Sequence, residues 1–460
     1  MSESNDKQAL GPLRVHPDNP RYFCGPDGRA VYLTGSHTWG NMQDQLSPDP
    51  DVTFDYDAYL DWMADQGFTF MRGWAWEQAA WDNHTTEKLL VRPLPYQRTG
   101  PGTALDGGPR FDLTLLNEAY FERLRSRVLQ AGKRGIYVSL MLFEGFSVDN
   151  RNPDYSRNPW PGHPFHRENN VNGIDGDPHE TGEGRAVHTL ALPEVTAIQE
   201  AYVRRVVDAV NDLDNVLFEI GNEHYADSAA WQAHLIDLIH QYEASKAKQH
   251  PVGMTSGGGG SDALENHVLF ESPADWISPR HEPGEPYRDD PPANDGRKVI
   301  LTDTDHLWGL GATQGWVWKS FVRGLNPILM DPYEPLHGLD AFPNWGAINR
   351  RDHPLWATIR RSMSYTAEYA RRIDLAHMSP VPELSSTGYC LAHPGHAYLV
   401  YAPDGGLVRL AFEPSAAGYE VEWFSPTTGQ VVSGEQIAGK GYLSGAPFAG
   451  DAVLYVWRVT

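Results

Sequence analysis

The stretch "NVLFEIGNEHY", residues 215–225, decides how the chain is read. Four of the five residues from Val216 to Ile220 are apolar, and Gly221, Asn222, Glu223 and His224 follow at once. A short apolar run of this kind fits a strand buried on both faces. A strand that merely stops ends in Gly, Asp or Ser. One that delivers an amide, a carboxylate and an imidazole side by side points to chemistry at the mouth of a fold.

Working outward, seven more runs of the same texture flank it. Before it come "AVYLTG" (30–35), "FTFMRG" (68–73) and "GIYVSLML" (135–142). After it come "PVGMTS" (251–256), "DWISPRH" (275–281), "KVILTD" (298–303) and "NPILMD" (326–331). Helical patterns lie between several of them. "AYVRRVVDAVNDL" sets Val203, Val206, Val207 and Val210 on one stripe, the spacing of an amphipathic helix. "DYDAYLDWMADQG" stops at Gly67, and "EAYFERLRSRVLQAGKRG" leads into the third strand, so both read as helices with glycine ends. Strands alternating with helices predict a parallel sheet, and eight repeats predict a closed (β/α)8 TIM barrel. An open doubly wound sheet is the alternative, but no glycine-rich phosphate loop follows any strand.

The texture changes near "AHMSPVPEL". Beyond it, short alternating runs broken by Gly-Gly, Thr-Gly and Pro turns predict a C-terminal antiparallel β-sandwich. The expected division is an N-terminal arm over 1–29, a barrel over 30–378 and a sandwich over 379–460.

Composition narrows the partners. The 37 basic and 60 acidic residues give a net charge of -23, which repels phosphate backbones and argues against nucleic acid. Hydrophobic residues make up 40% of the chain, and no run approaches the ~18 apolar residues of a membrane span. No basic-then-apolar leader opens the sequence, so a cytoplasmic location, or a trimmed secreted chain, is expected. Cys24 and Cys390 are two isolated thiols with no metal spacing. The 15 Trp and 21 Tyr suit a cleft in which flat rings stack on sugars.

In a (β/α)8 barrel the reactive groups stand at the C-terminal strand ends. Here these are Ser36, His37, Thr38 and Trp39 after strand one, and Arg72, Trp74, Trp76 and Glu77 after strand two. Glu144 ends the third, and Asn222, Glu223 and His224 the fourth. His281 and Glu282 follow the sixth, Asp303, Asp305, His306 and Trp308 the seventh, and Asp331 and Tyr333 the eighth. Two carboxylates facing each other across such a mouth are the equipment of glycoside hydrolysis.

The order of these residues carries a resemblance. An Asn-Glu pair ending strand four ("VLFEIGNEH"), an Arg ending strand two ("FTFMRGW") and an acidic residue ending strand seven resemble the layout of glycoside hydrolase clan A. "NPRYFCGPDGRAVYLTGSHTWG" is similar to the first strand of barrel proteins in glycoside hydrolase families of unassigned function. The tail, with "YCLAHPGHAYLVYAPDGG", resembles the β-sandwich those proteins carry, sometimes labelled collagen-binding. The resemblance implies Glu223 as acid/base, with Asp303 as nucleophile and Asp305 or Glu282 as substitutes. It implies Asn222 on a sugar hydroxyl and Arg72 holding the nucleophile ionised. His37, His224, His281, Glu282 and His306 are expected at sugar hydroxyls, and Trp39, Trp74, Trp76 and Trp308 as stacking platforms. Strand seven departs from the clan, which places Glu there; "ILTDTDH" supplies Asp, a side chain shorter by about 1.5 Å. Retention is still the expected stereochemistry.

Rival chemistries are weighed on the same residues. Asp303, Asp305 and His306 could form a metal site for hydrolysis, yet the His-x-His and His-Glu-x-x-His patterns are absent. "NNVNGIDGDPHETGEG" (169–184) has calcium-like oxygen ligands without the twelve-residue loop spacing, and "TSGGGGSDA" lacks the Gly-Lys-Ser/Thr of a phosphate cradle. The expected partner is a carbohydrate and no cofactor or metal is expected. A barrel that binds carbohydrate without cleaving it is the alternative of a different class. The long connection over 145–192 is expected to narrow the cleft and favour exo action.

Overall fold

The computed structural model describes residues 11–46, 54–82, 88–149, 158–257, 262–336 and 345–459. Eight strands close into a barrel: β1 (Gly35–His37), β2 (Phe70–Gly73), β3 (Tyr137–Glu144), β4 (Val216–Asn222), β5 (Val252–Thr255), β6 (Trp276–Ser278), β7 (Val299–Asp303) and β8 (Asn326–Met330). Each pairs in parallel with its neighbour in sequence, and β8 closes on β1. Helices α1 (Tyr56–Asp65), α2 (Glu118–Gly132), α3 (Pro193–Val210), α4 (Ala229–Glu243) and α5 (Asn266–Glu271) follow β1 to β5 in turn. α6 (Gln314–Val322) follows β7 and α7 (Pro354–Arg372) follows β8, while residues 279–298 join β6 to β7 without a helix.

Local chemistry explains these boundaries. Asp55 caps α1 by accepting from the Ala58 amide at 3.0 Å, and Gly67, at φ +73°, ends the turn that leads to β2. Val203, Val206, Val207 and Val210 of α3 are all buried, as the stripe predicts. The barrel floor is filled by Phe70, Tyr137, Leu217, Trp276 and Val299. Gly253 on β5 makes room for the Trp276 ring, which a Cβ there would meet at 1.9 Å.

The first strand differs from expectation. Ala30 and Val31 pair with Phe23–Cys24 in a small antiparallel sheet, and the barrel strand is Gly35–His37. Two contacts force the split. The Leu33 amide is taken by the Asn326 side chain at 3.2 Å, and at Gly35 a Cβ would lie 1.7 Å from the Phe70 carbonyl oxygen. Leu13, Phe23 and Leu33 of this N-terminal segment join the floor cluster and plug the barrel from below.

Two connections build the rim. Between β2 and α2, strands Ala80–Asp82 and Lys88–Arg92 pair, and Tyr96–Thr103 pairs with Pro109–Leu116. The connection from β3 to α3 is held by side-chain amides: Asn169 and Asn170 donate to carbonyls of residues 161–174. Asp177 is spent on its own turn, accepting from Thr181 and Gly182. The two connections share a core of Trp74, Trp76, Trp81, Tyr96, Phe111, Trp160 and Phe165. The glycine run of "TSGGGGSDA" falls largely outside the described residues.

The C-terminal segment is a β-sandwich. A six-stranded antiparallel sheet, with Ala397–Ala402, Ala452–Arg458 and Tyr419–Phe424 at its centre, faces a two-stranded antiparallel sheet of Leu407–Ala411 and Gly441–Gly445. Val400, Leu454, Val408 and Leu410 lie in the core between them. The other face of the large sheet presents Leu399, Tyr401, Phe424 and Val453 to Trp318 and Phe321 of α6 and Tyr369 of α7. The sandwich thus shares a hydrophobic core with the barrel. Among the described residues, no helix is long and apolar enough to cross a membrane.

Candidate active site

β4 sets the geometry of the mouth. Its end turns sharply because Glu223 adopts φ +53°, a left-handed conformation that costs a non-glycine residue of order 1 kcal/mol or more. His224 folds back over Gly221, where a Cβ would meet its Nε2 at 2.1 Å. His224 is therefore buried at ring-centroid distances of 4.6 Å from His188 and 5.3 Å from Trp231, inside the wall. Glu223 is half-buried beside it.

Beneath the mouth, Arg72 is enclosed by partners. Its Nε donates to Glu219 at 3.0 Å and Nη2 donates to the other Glu219 oxygen. Nη2 also donates to Asn222 Oδ1 at 2.8 Å, and Nη1 donates to Asp303 Oδ2 at 2.8 Å. Arg72, Glu219 and Asp303 are 2%, 0% and 1% exposed, so the charges face each other away from bulk solvent. Burial works against the guanidinium charge, but Glu219 and Asp303 outweigh it and keep Arg72 protonated.

Asp303 and Asp305 differ sharply. Asp303 lies 3.0 Å from His37 Nε2 and accepts from the Asp305 amide at 2.9 Å in addition to Arg72. Burial pushes its carboxyl up, yet His37 and Arg72 more than reverse this and hold it well below the usual carboxylate range. Asp305 ends 3.7 Å from Arg72 Nη1. Burial, then the charge of Glu223, then that of Asp303 push its carboxyl well above the usual range. Glu223 and Asp305 are thus electrostatic neighbours that resist ionising together.

His306 is fixed from both sides. Its Nδ1 lies 2.9 Å from Ser278 Oγ and its Nε2 2.9 Å from Asn222 Oδ1. Asn222 Nδ2 faces the Glu144 carboxylate at 3.3 Å, so Oδ1 must point the other way and His306 Nε2 carries the proton. Burial pulls His306 down to about 3, so the ring is neutral at neutral pH. A metal at His306 would have to displace the Ser278 hydroxyl from Nδ1. Among the described residues no group of three His, Cys, Asp or Glu side chains could hold a metal ion.

The structure therefore brings together His37, Arg72, Asn222, Glu223, Asp303, Asp305 and His306. The aromatic expectations divide. Trp74 and Trp76 are buried at 2% and 3%: Trp74 stacks on His37 at 5.0 Å, and Trp76 donates from Nε1 to the Trp39 carbonyl at 3.2 Å. Trp39 and Trp308 are half-buried and keep part of their surface. His281 is half-buried beyond β6, with no hydrogen-bond partner for Nδ1. Glu282 accepts from the Asn266 amide and Arg280 Nε, tying its loop to the start of α5. Asp331 is bound by Arg360 of α7, and Tyr333 packs on Tyr59 and Trp62.

One carboxylate, Glu219, escaped the sequence reading of the site, and Glu144 and Glu77 were placed at strand ends without a role. Glu219 is the lone charge inside an apolar strand, and that interruption was its signal. Glu144 supports Asn222. Glu77 accepts from the Glu144 amide at 2.8 Å and meets His188 at 2.9 Å and His163 at 3.3 Å. Burial alone would raise Glu77; the two imidazoles instead hold it well below the carboxylate range.

A family described as a domain of unknown function, DUF6298, matches residues 91–277. No curated protein matches the chain. Among solved structures, the chain is similar to one described as a glycoside hydrolase, at 12% identity over 98% of this chain and 97% of that one, with a TM-score of 0.62. It is also similar to a glycoside hydrolase family 5 from Bacteroides vulgatus ATCC 8482, at 14% identity over 98% and 94% of the two chains, with a TM-score of 0.60. At these identities the likeness is one of fold: a barrel and the segments attached to it.

Proposed function

We propose that the chain is a glycoside hydrolase that cleaves an O-glycosidic bond between two facing carboxylates, Glu223 and Asp305. The observation that carries this reading is the placement of Glu223 at the turn ending β4 and of Asp305 3.7 Å from Arg72 just past β7, over one buried arginine that also holds Asn222 and Asp303; burial first, and then the charge of Glu223, push the Asp305 carboxyl upward there. Two close carboxyls that share one proton are what the reaction requires, because one group must give a proton while the other stays ionised.

The strand-seven aspartates then take separate roles. Asp303 has its oxygens committed to Arg72, His37 and the Asp305 amide, so it serves as a fixed anion beneath the site. In the reacting form the one proton of the pair rests on Glu223, so Asp305 is ionised; nearer the mouth, it attacks the anomeric carbon as Glu223 protonates the departing oxygen. Glu223 then takes a proton from water, the water oxygen displaces Asp305, and the anomeric configuration is retained. Trp39 and Trp308 supply the partly open rings on which a sugar can stack.

The test is hydrolysis of a panel of 4-nitrophenyl glycosides and oligosaccharides by the wild type, Asp305→Asn and Asp303→Asn. Turnover by the wild type that falls by about 10³-fold or more in Asp305→Asn is expected. Equal turnover in wild type and Asp305→Asn, with loss only in Asp303→Asn, would return the nucleophile to Asp303. No cleavage by the wild type across the panel, with sugar binding seen by calorimetry, would favour the non-catalytic alternative.

A further inference from the structure

Arg72 carries one positive charge, and three acidic groups lie within its reach. Glu219 takes its Nε and Nη2 side by side, Asp303 takes Nη1, and Asp305 stands off at 3.7 Å. The bidentate grip fixes the plane of the guanidinium. That plane decides which edge is left for β7. Glu219 itself is fully buried on β4, four residues before Glu223, and also accepts from Ser139 Oγ at 3.4 Å.

We propose that Glu219 is a positioning residue of the reaction: it orients Arg72 toward Asp303 and offsets the arginine charge beneath the Glu223–Asp305 pair. The inference rests on the assignment of that pair above. An Arg72 without this counter-ion would present its whole charge to β7, and both carboxyls of the pair would ionise too readily to hold the shared proton. Glu219 has no need to touch substrate for this.

Glu219→Gln removes the charge and keeps the shape. The acid and alkaline limbs of kcat/KM, measured on whichever 4-nitrophenyl glycoside the wild type cleaves, should both move down by about one to two pH units, the Coulomb effect of one charge several ångströms away at an effective dielectric near 20. Glu219→Asp keeps the charge but shortens the reach; it should lose rate while leaving the limbs where they are. A merely structural role would lower the rate in both variants without moving either limb, and that result overturns the proposal.

Should Glu219→Gln not fold, the neutral pair Arg72→Gln/Glu219→Gln removes the nearer positive charge as well. Its limbs should move up, and unmoved limbs overturn the proposal. A second readout needs no substrate. The wild type loses stability as pH rises through the raised titration of Asp305, whereas Glu219→Gln should lose less over the same range. A constant stability gap between the two at every pH overturns the inference even where no glycoside is cleaved, so its failure stays distinct from failure of the hydrolase reading.

Discussion

Replacing Arg72 by Met should destabilise the fold by an amount that depends on pH in a defined direction. Met roughly fills the volume but leaves Glu219 and Asp303, 0% and 1% exposed, without their cation. Breaking a buried ion pair from one side costs about 3–5 kcal/mol. An unfolding entropy of about 2.1 cal/mol/K per residue, over 460 residues, comes to about 1 kcal/mol/K, so Tm should fall by about 3–5 °C at pH 7 if the chain melts as one unit. In the wild type, Asp303 is held below its ordinary range, so its stabilisation is present above the unfolded pKa and is lost as pH falls through the folded one. In the variant, burial of Asp303 is opposed by His37 without Arg72, so its carboxyl rises from its wild-type position. The native variant then takes up this proton at a higher pH than the native wild type does, and it loses less stability than the wild type as pH falls towards 4.5. The Tm gap between wild type and Arg72→Met should therefore narrow from pH 7 to pH 4.5 in scanning calorimetry. A gap that stays constant would mean that Asp303 is not left an uncompensated charge, and would refute the reasoning.

Glu77→Gln should loosen the connection between β3 and α3, because it weakens the hold on His163 and His188; faster proteolysis within residues 158–192, with α6 and α7 still protected from hydrogen exchange, is the expected outcome. Gly253→Ala pushes a Cβ into the Trp276 ring and should cost about 1–3 kcal/mol by overpacking. Denaturant titration measures that loss, and kcat of the folded fraction should be unchanged because the contact lies in the barrel floor. Ending the chain at residue 378 uncovers Trp318, Phe321 and Tyr369; the truncated barrel should express as insoluble protein, and a soluble, cooperatively melting one would contradict the shared core.

The barrel was legible because seven of its eight strands announce themselves as short apolar runs, and four valines at helical spacing marked α3. β1 was read too early because its signal is tertiary: Gly35 is there to let two backbones approach, which no local pattern reports. The rim was harder. The hairpins between β2 and α2 alternate around prolines and glycines, and Trp74 and Trp76 turned inward to form their core instead of lining a cleft. Within the site, Asn222, Glu223 and the two aspartates follow from their places at strand ends. What separates Asp303 from Asp305 does not, since both sit at the same parity. Their difference arises from what Arg72, His37 and Glu223 do to each, and those partners come from three other strands. Glu219 was visible as a charge in an apolar strand, but its partner is 147 residues away in sequence.

The central claim is that Glu223 moves the proton, and leaving-group dependence in Glu223→Gln tests it most directly. With 4-nitrophenyl or poorer leaving groups, which need protonation, kcat/KM should fall by about 10²–10⁴-fold. With 2,4-dinitrophenyl glycosides of the same sugar, which leave unassisted, the fall should be many times smaller. An equal fall for both classes, or none for either, would contradict Glu223 as the proton donor.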